Sequence, residues 1–304
     1  MLRCYHICEG KIQTCNVADA QILTYINPDE SEKKYLTGDL NLDEHTLNSC
    51  LDPDELSRLE FEPEHVAMIF KRPRNYLVED RFLFRVTSMG AFVFADKIIL
   101  VSSEDVPIFD DKKFTKVTSL KDVMLKMLFR SIYHFLEHLK IINMITNDLE
   151  EKINSSMENR YLISLFSLEK SLVYYLNAIT ANSILLQRLK NNGSKIGFIP
   201  DEEDLLDDIM IENSQCYRQA EIYSNILSGM MDARASIVNN NINVLMKTLN
   251  IITIGIMVPT FIVSAFSMNV GIPFQKHPQA FWFVLGIALV SVYGFYWIWR
   301  YKKW

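Results

Sequence analysis

A chain of 304 residues is long enough for one or two domains with a hydrophobic core. Its net charge of -6 excludes the basic balance expected of a nucleic-acid-binding protein. With 49% hydrophobic and 22% charged residues, a mean hydropathy of +0.05 is high for a soluble chain, so a charged bulk must coexist with a very apolar segment.

The five cysteines are odd in number and all precede the apolar tail, which points to a reducing compartment rather than a disulfide framework. The first residues contain no long apolar run and so do not read as a secretory signal. Cys4, His6, Cys8 and Cys15 match no closed zinc-site spacing, and the stretch alternates like an edge strand. Short β-branched or aromatic runs at 22–26, 65–70, 82–87, 91–95 and 97–101, separated by turn-like residues, predict strands. No phosphate-binding glycine loop, nucleophile elbow or paired-histidine motif occurs, so an enzyme is not expected.

Helical spacing then takes over at 120–149 and 160–189. Asn191-Asn192-Gly193 interrupts it, and Pro200 followed by Asp201, Glu202, Glu203 and Asp204 opens a new helix with proline and acids where an N-terminus favours them. From about 201 to 268 only Pro259 interrupts, which predicts one helix on the order of 100 Å long at ~1.5 Å per residue. Such a rod needs partners, most simply copies of itself.

Residues 248–275 and 278–299 carry no charge. Each run reaches the ~20 apolar residues that a bilayer requires. The spans are placed at 249–268 and 280–299, joined by a loop at 269–279. Lys247 precedes the first span, and Arg300, Lys302 and Lys303 follow the second, so the positive-inside bias places both ends in the cytosol. Trp282, Trp297, Trp299 and Trp304 sit where interfacial aromatics are expected. The predicted organisation is an α/β domain at 1–120, a helical region at 121–200, a stalk at 201–248, the two spans and their loop, and a basic tail at 300–304.

One face of the long helix is distinctive. Gly229, Ala233, Ser236, Asn240, Asn243, Met246, Asn250, Thr253, Met257, Thr260 and Ser264 follow one another at steps of three and four. That period of about 3.5 belongs to one face of a left-handed bundle. An ordinary seam would carry Leu or Ile, whereas this face is small and polar with two methionines. Polar residues inside lipid face partners or water. Two readings therefore fit: an axial, partly wet pathway, or a close small-residue helix contact.

The segments Asn243-Val-Leu-Met246-Lys247-Thr-Leu249, Pro259-Thr260-Phe261 and Ser267-Met268-Asn269 resemble the end of the CorA magnesium transporters in motif and separation. The likeness extends to Asn27-Pro28-Asp29-Glu30, to Leu51-Asp52-Pro53-Asp54-Glu55-Leu56 and to Arg72-Pro73. It implies an α+β membrane protein: an N-terminal αβα cytosolic domain and a long stalk helix continuing into the first of two C-terminal transmembrane helices. It also implies a homopentamer in the inner membrane that conducts Mg²⁺, possible companions being Co²⁺ and Ni²⁺, with no organic cofactor and no nucleic-acid partner. Asn269 would form a selectivity ring beside Ser267 and Met268. Asn243, Asn250, Thr253, Thr260 and Ser264 would line the pore, and Met246, Leu249 and Met257 would form a hydrophobic gate. Asp208 with Asp52 or Asp54 would bind a regulatory ion between neighbours, and Arg300, Lys302 and Lys303 would collar the inner mouth.

The sequence departs from that family in two places. Ser267 stands where the family has glycine and Phe266 where it has tyrosine, and the loop from Val270 to His277 carries no acid. Serine resists backbone angles that glycine permits, so a changed filter turn is expected. The departures keep two alternatives open: a proton-coupled Zn²⁺ transporter of the ZntB type, and a non-conducting membrane protein with the same fold.

Overall fold

The structure is a computed structural model and describes residues 1–76, 82–106, 109, 114, 116–155, 159–268 and 278–302. The chain divides into two compact units, Met1–Met231 and Asp232–Trp304.

The first unit is built on a seven-stranded sheet: β1 Leu2–Cys8, β2 Lys11–Thr14, β3 Ile22–Ile26, β4 Arg58–Phe61, β5 Val66–Pro73, β6 Val86–Val93 and β7 Ile98–Ser102. Their order is β2-β1-β3-β7-β6-β5-β4. Only β3 and β7 run parallel; every other pair is antiparallel. Helices cover both faces. On one lie α1 (Glu30–Gly38) and α2 (Glu44–Ser49); on the other lie α3 (Leu120–Ser155) and α4 (Asn159–Asn191).

Strand β5 shows why both faces must be covered. Met68 and Phe70 enter the core on the α3–α4 side, while Ala67 and Ile69 enter the other core with Leu36 and Leu47. A strand with both pleat faces buried reads as a continuous apolar run, as this one does. Each fully buried Leu, Ile or Phe adds about 1.5–3 kcal/mol.

The sequence splits β6 in two, because Ser88 and Gly90 look like turn residues, but the structure pairs it with β5 without interruption from Val66↔Val93 to Pro73↔Val86. Gly90 is inside the strand because a Cβ there would lie 2.1 Å from the Cys50 Sγ. The glycine admits α2's buried thiol. Helices α1 and α2 and strand β4 also went unassigned in the sequence. The Asn-Pro-Asp-Glu segment is the turn into α1: Asn27 has φ 43°, and Asp29 caps the helix in a reciprocal capping box with Glu32.

Helices α3 and α4 bury rows spaced by three and four: Leu128, Ile132, Phe135, Leu139 and Ile142 on α3, and Leu165, Leu168, Leu172, Tyr175 and Ile179 on α4. A short turn, α5 (Gly193–Ile196), ends at Gly197 in the left-handed region, φ 77°. The long helix α6, Pro200–Phe266, follows. The buried Glu202 carboxylate accepts hydrogen bonds from Ile199 N at 3.0 Å and Ser119 Oγ at 2.5 Å, so the acid closes the helix N-terminus and ties it to the start of α3. Leu206, Ile209, Cys216, Ala220 and Leu227 then join the α3–α4 core.

Candidate ion pathway

The second unit consists of the rest of α6 and of α7, Ala280–Lys302. Both helices are long and apolar enough to cross a membrane, with mean hydropathy of 2.0 and 1.9 in their most apolar stretches. Within the apolar stretch of α6, from 248 to 266, the half-buried residues are Ile251, Gly255, Pro259, Ile262 and Phe266. A Cβ on Gly255 would meet the Phe295 ring at 3.4 Å, so this row is the face that α7 covers, and the glycine lets the two helices approach.

Asn243, Met246, Asn250, Thr253, Met257, Thr260 and Ser264 are all exposed in the single chain, as are Gly229, Ala233, Ser236 and Asn240 further back. At about 100° per residue, the mean direction of the stripe within the apolar segment lies roughly 180° from the row that meets α7. The hairpin therefore turns its polar face away from its own partner helix. Asn250 sits at the edge of the stripe, where with Lys247 it also lines a groove against Phe295, Ile298 and Trp299. The gate candidates are uncovered too, at 55% exposure for Met246, 59% for Leu249 and 60% for Met257.

Local chemistry distinguishes the polar members. Thr253 Oγ1 donates to Leu249 O at 2.9 Å and Thr260 Oγ1 to Ile256 O at 2.7 Å, each one turn back. These hydroxyls are satisfied within the helix and are tolerable against lipid. The carboxamides of Asn243 and Asn250 cannot be matched so simply, and carry the stronger argument for water or a partner on this face.

Past Phe266 the backbone turns. Ser267 N donates to Ser264 O at 3.1 Å, and Ser267 Oγ donates to the same oxygen at 2.8 Å. Ser267 does not have a positive φ, so the strain expected of a serine in a glycine position does not arise. The serine instead adds a side-chain cap to the helix end. Asn269, the rest of the connecting loop to His277, Lys303 and Trp304 lie outside the described residues.

The proposed regulatory acids Asp52, Asp54 and Asp208 are exposed. Asp52 and Asp54 sit on a turn held from beneath by Lys71. Lys71 Nζ donates to Pro53 O at 2.6 Å and to Ser88 Oγ at 3.0 Å, and Ser88 Oγ donates to Asp52 O at 2.6 Å. Burial lowers the Lys71 pKa, against the opposing pull of Asp54, Asp52 and Glu55. Sequence reasoning missed this support, since nothing local marks Lys71 as buried. Among the described residues no three His, Cys, Asp or Glu side chains converge as a metal site within one chain. At the other end of the chain Arg300 is exposed, and Lys302 lies in the last turn of α7.

Residues 18–301 match the family model described as CorA-like Mg²⁺ transporter protein. The curated Cobalt/magnesium transport protein CorA of Methanocaldococcus jannaschii is 25% identical over 98% of this chain and 96% of that protein. The complete structure of the CorA magnesium transporter from the same organism superposes with a TM-score of 0.83, at 20% identity, over 99% of this chain and 97% of that one. The ZntB cytoplasmic domain from Vibrio parahaemolyticus gives 0.61 at 10% identity, over 78% of this chain and 98% of that one. With nearly its whole length matched, and with an αβα unit, a long helix and two apolar C-terminal helices, the chain belongs to the CorA-like Mg²⁺ transporter family.

Proposed function

We propose that the chain is one subunit of a homopentameric divalent-cation channel that takes up Mg²⁺, with Co²⁺ and Ni²⁺ as secondary ions. The observation that carries this reading is the uncovered polar stripe of α6, turned away from α7 in the single chain. Five copies around an axis would cover it and leave a narrow, partly wet path. The curated relative's name, which pairs cobalt with magnesium, supports the choice of ions.

In this reading Asn269, with Ser267 and Met268, forms the outer filter. Mg²⁺ gives up water reluctantly, so a ring of neutral amide oxygens holds the hydrated ion without stripping it. Asn243, Asn250, Thr253, Thr260 and Ser264 line the path, and Met246, Leu249 and Met257 close it by dewetting. Asp208 of one subunit and Asp52 or Asp54 of the next repel one another unless a cation sits between them. Ion bound, the subunits are held and the path is shut; ion lost, they splay and it opens. Arg300, Lys302 and Lys303 form a basic collar on the cytosolic side of the inner membrane. The ion is cargo and regulator, no organic cofactor is needed, and the protein is not an enzyme. The ZntB likeness, at 10% identity, supports the fold alone.

The test is flux in reconstituted vesicles with Mg²⁺, Co²⁺, Ni²⁺ and Zn²⁺, with and without a pH gradient, beside Asn269→Ala. Mg²⁺ entry without a pH gradient, lost at least about tenfold in the variant, is expected; a tenfold change corresponds to about 1.4 kcal/mol. No flux for any ion, or Zn²⁺ flux only under a pH gradient, would sink the reading.

A further inference from the structure

Between β5 and α3, within the first unit, lies a cavity of about 110 Å³. A single water needs only about 10–15 Å³, so the space accepts a small polyatomic group. Its lining is apolar at Phe70, Met89, Val106 and Met127, and carries donors at Arg72, Asn75, Arg130, Ser131 and His134.

Arg72 is the residue that needs explaining. It is 4% exposed, and neither of its terminal guanidinium nitrogens has a hydrogen-bond partner. A buried guanidinium with no acceptor is costly, and native structures rarely leave one. Burial pulls its pKa down to about 10, which still leaves it charged at neutral pH, with Glu104 opposing the shift and Arg130 adding to it. Glu104 makes no hydrogen bond to it: its Oε1 is bonded to Arg74 Nε at 2.5 Å, and its Oε2 has no hydrogen-bond partner. Arg130 pairs with Glu137 at 3.1 Å. Ser131 Oγ donates to Lys71 O at 2.8 Å. His134, packed edge-on against His138, is held to about 3 by burial, then by His138, Arg72 and Arg130, and is therefore neutral. Among the described residues the lining thus holds a buried, unpartnered guanidinium and further donors, and no acidic side chain.

We propose that this cavity binds a small tetrahedral oxyanion of the phosphate type, with the Arg72 guanidinium as its principal ligand and Asn75 and His134 as neighbouring donors. A planar fork of N–H groups suits two oxygens of such an anion. The anion would complete the α3–sheet contact, so it would act first as a stabiliser of the αβα unit.

The experiment uses the full-length protein in detergent without divalent ions. Thermal unfolding and calorimetric titration are run with inorganic phosphate, sulfate and a phosphomonoester, each matched in ionic strength by chloride. Saturable stabilisation by phosphate and sulfate beyond chloride is expected, with affinity falling roughly ten- to a hundredfold in Arg72→Met, the range of a charge-assisted hydrogen bond. Tighter binding of the monoester, also lost in Arg72→Met, assigns the same site to the phosphoryl group of a larger metabolite. Equal stabilisation of wild type and variant, or none beyond chloride, would overturn the proposal and leave Arg72 answered inside the protein by Glu104. Should Arg72→Met not fold, wild-type crystals grown in selenate decide the matter: an anomalous peak beside the Arg72 guanidinium is expected, and its absence at saturating selenate rejects the site.

Discussion

Helix α6 carries one period through two environments. From Glu202 to Leu227 its residues at steps of three and four are buried on α3 and α4. From Ala233 to Ser264 residues at the same kind of step are exposed and mostly small or polar. The first half finds its partners within the chain, and its row is Leu206, Ile209, Cys216 and Leu227. The second half has α7 on one side only, and its opposite row, small and polar, stays exposed in the single chain. Period alone gives helix and face; side-chain chemistry says whether the cover is intrachain apolar packing or something wetter.

The comparison breaks most sharply on stability. Ile209→Ala should cost about 2–5 kcal/mol, read as a large fall in Tm by circular dichroism of the detergent-solubilised chain, whereas Thr253→Ala should stay within about 0.5 kcal/mol. Equal losses would mean that both faces are buried within one chain. Next in size, Gly255→Leu should lower Tm by an amount equivalent to about 1–3 kcal/mol, since any side chain there meets Phe295. Asn243→Leu should reduce Mg²⁺ flux about tenfold, near 1.4 kcal/mol, with little change in Tm; unaltered flux would favour plain helix packing over a pathway.

Acid separates the halves further. His134 and His138 are held neutral at about 3 and about 4, chiefly by burial. Because these folded-state values lie below the ordinary 6.5, the unfolded chain binds the extra protons, so their contribution is complete above pH 6.5 and is lost as pH falls toward 4. The slope is about 1.4 kcal/mol per pH unit per group at most. His134→Leu should flatten the fall of Tm between pH 6.5 and 4. Residues 233–268 contain no histidine or acid, so that half of α6 should not respond directly. The most local effect is Ser267→Gly, which removes one hydroxyl bond and should cost about 0.5–1.5 kcal/mol in the order of the helix end, read as faster amide exchange near Ser264. Flux that rises sharply in this variant would restore the view that serine constricts the filter.

Much of the architecture was legible in the sequence because it rests on period. β3 is found where the run 22–26 reads as a strand, and the long helix starts one residue before the predicted Asp201. What was not legible depends on contacts distant in sequence. Gly90 reads as a breaker until Cys50 is seen against it. Asn182 on α4 does for Lys71 what a longer β4 would do, accepting from Lys71 N and donating to Lys71 O, both at 2.8 Å. The row that meets α7 left a faint signal, Gly255 and Pro259 one turn apart and opposite the polar stripe, but only the Phe295 ring gives it meaning. At Ser267 the covalent freedom of the backbone suggests strain, whereas the hydroxyl, bonded to Ser264 O, is the deciding feature.

The hydroxyls of Thr253 and Thr260 each hand their proton to the carbonyl one turn behind. What remains facing outward on each oxygen is lone-pair density, with no hydrogen to offer. Rings assembled from such groups would greet the water shell of a cation by accepting from it, and would have nothing to give an anion. In the proposed path these two rings would favour a cation over an anion without a formal charge of their own, through the direction in which two hydroxyl bonds point.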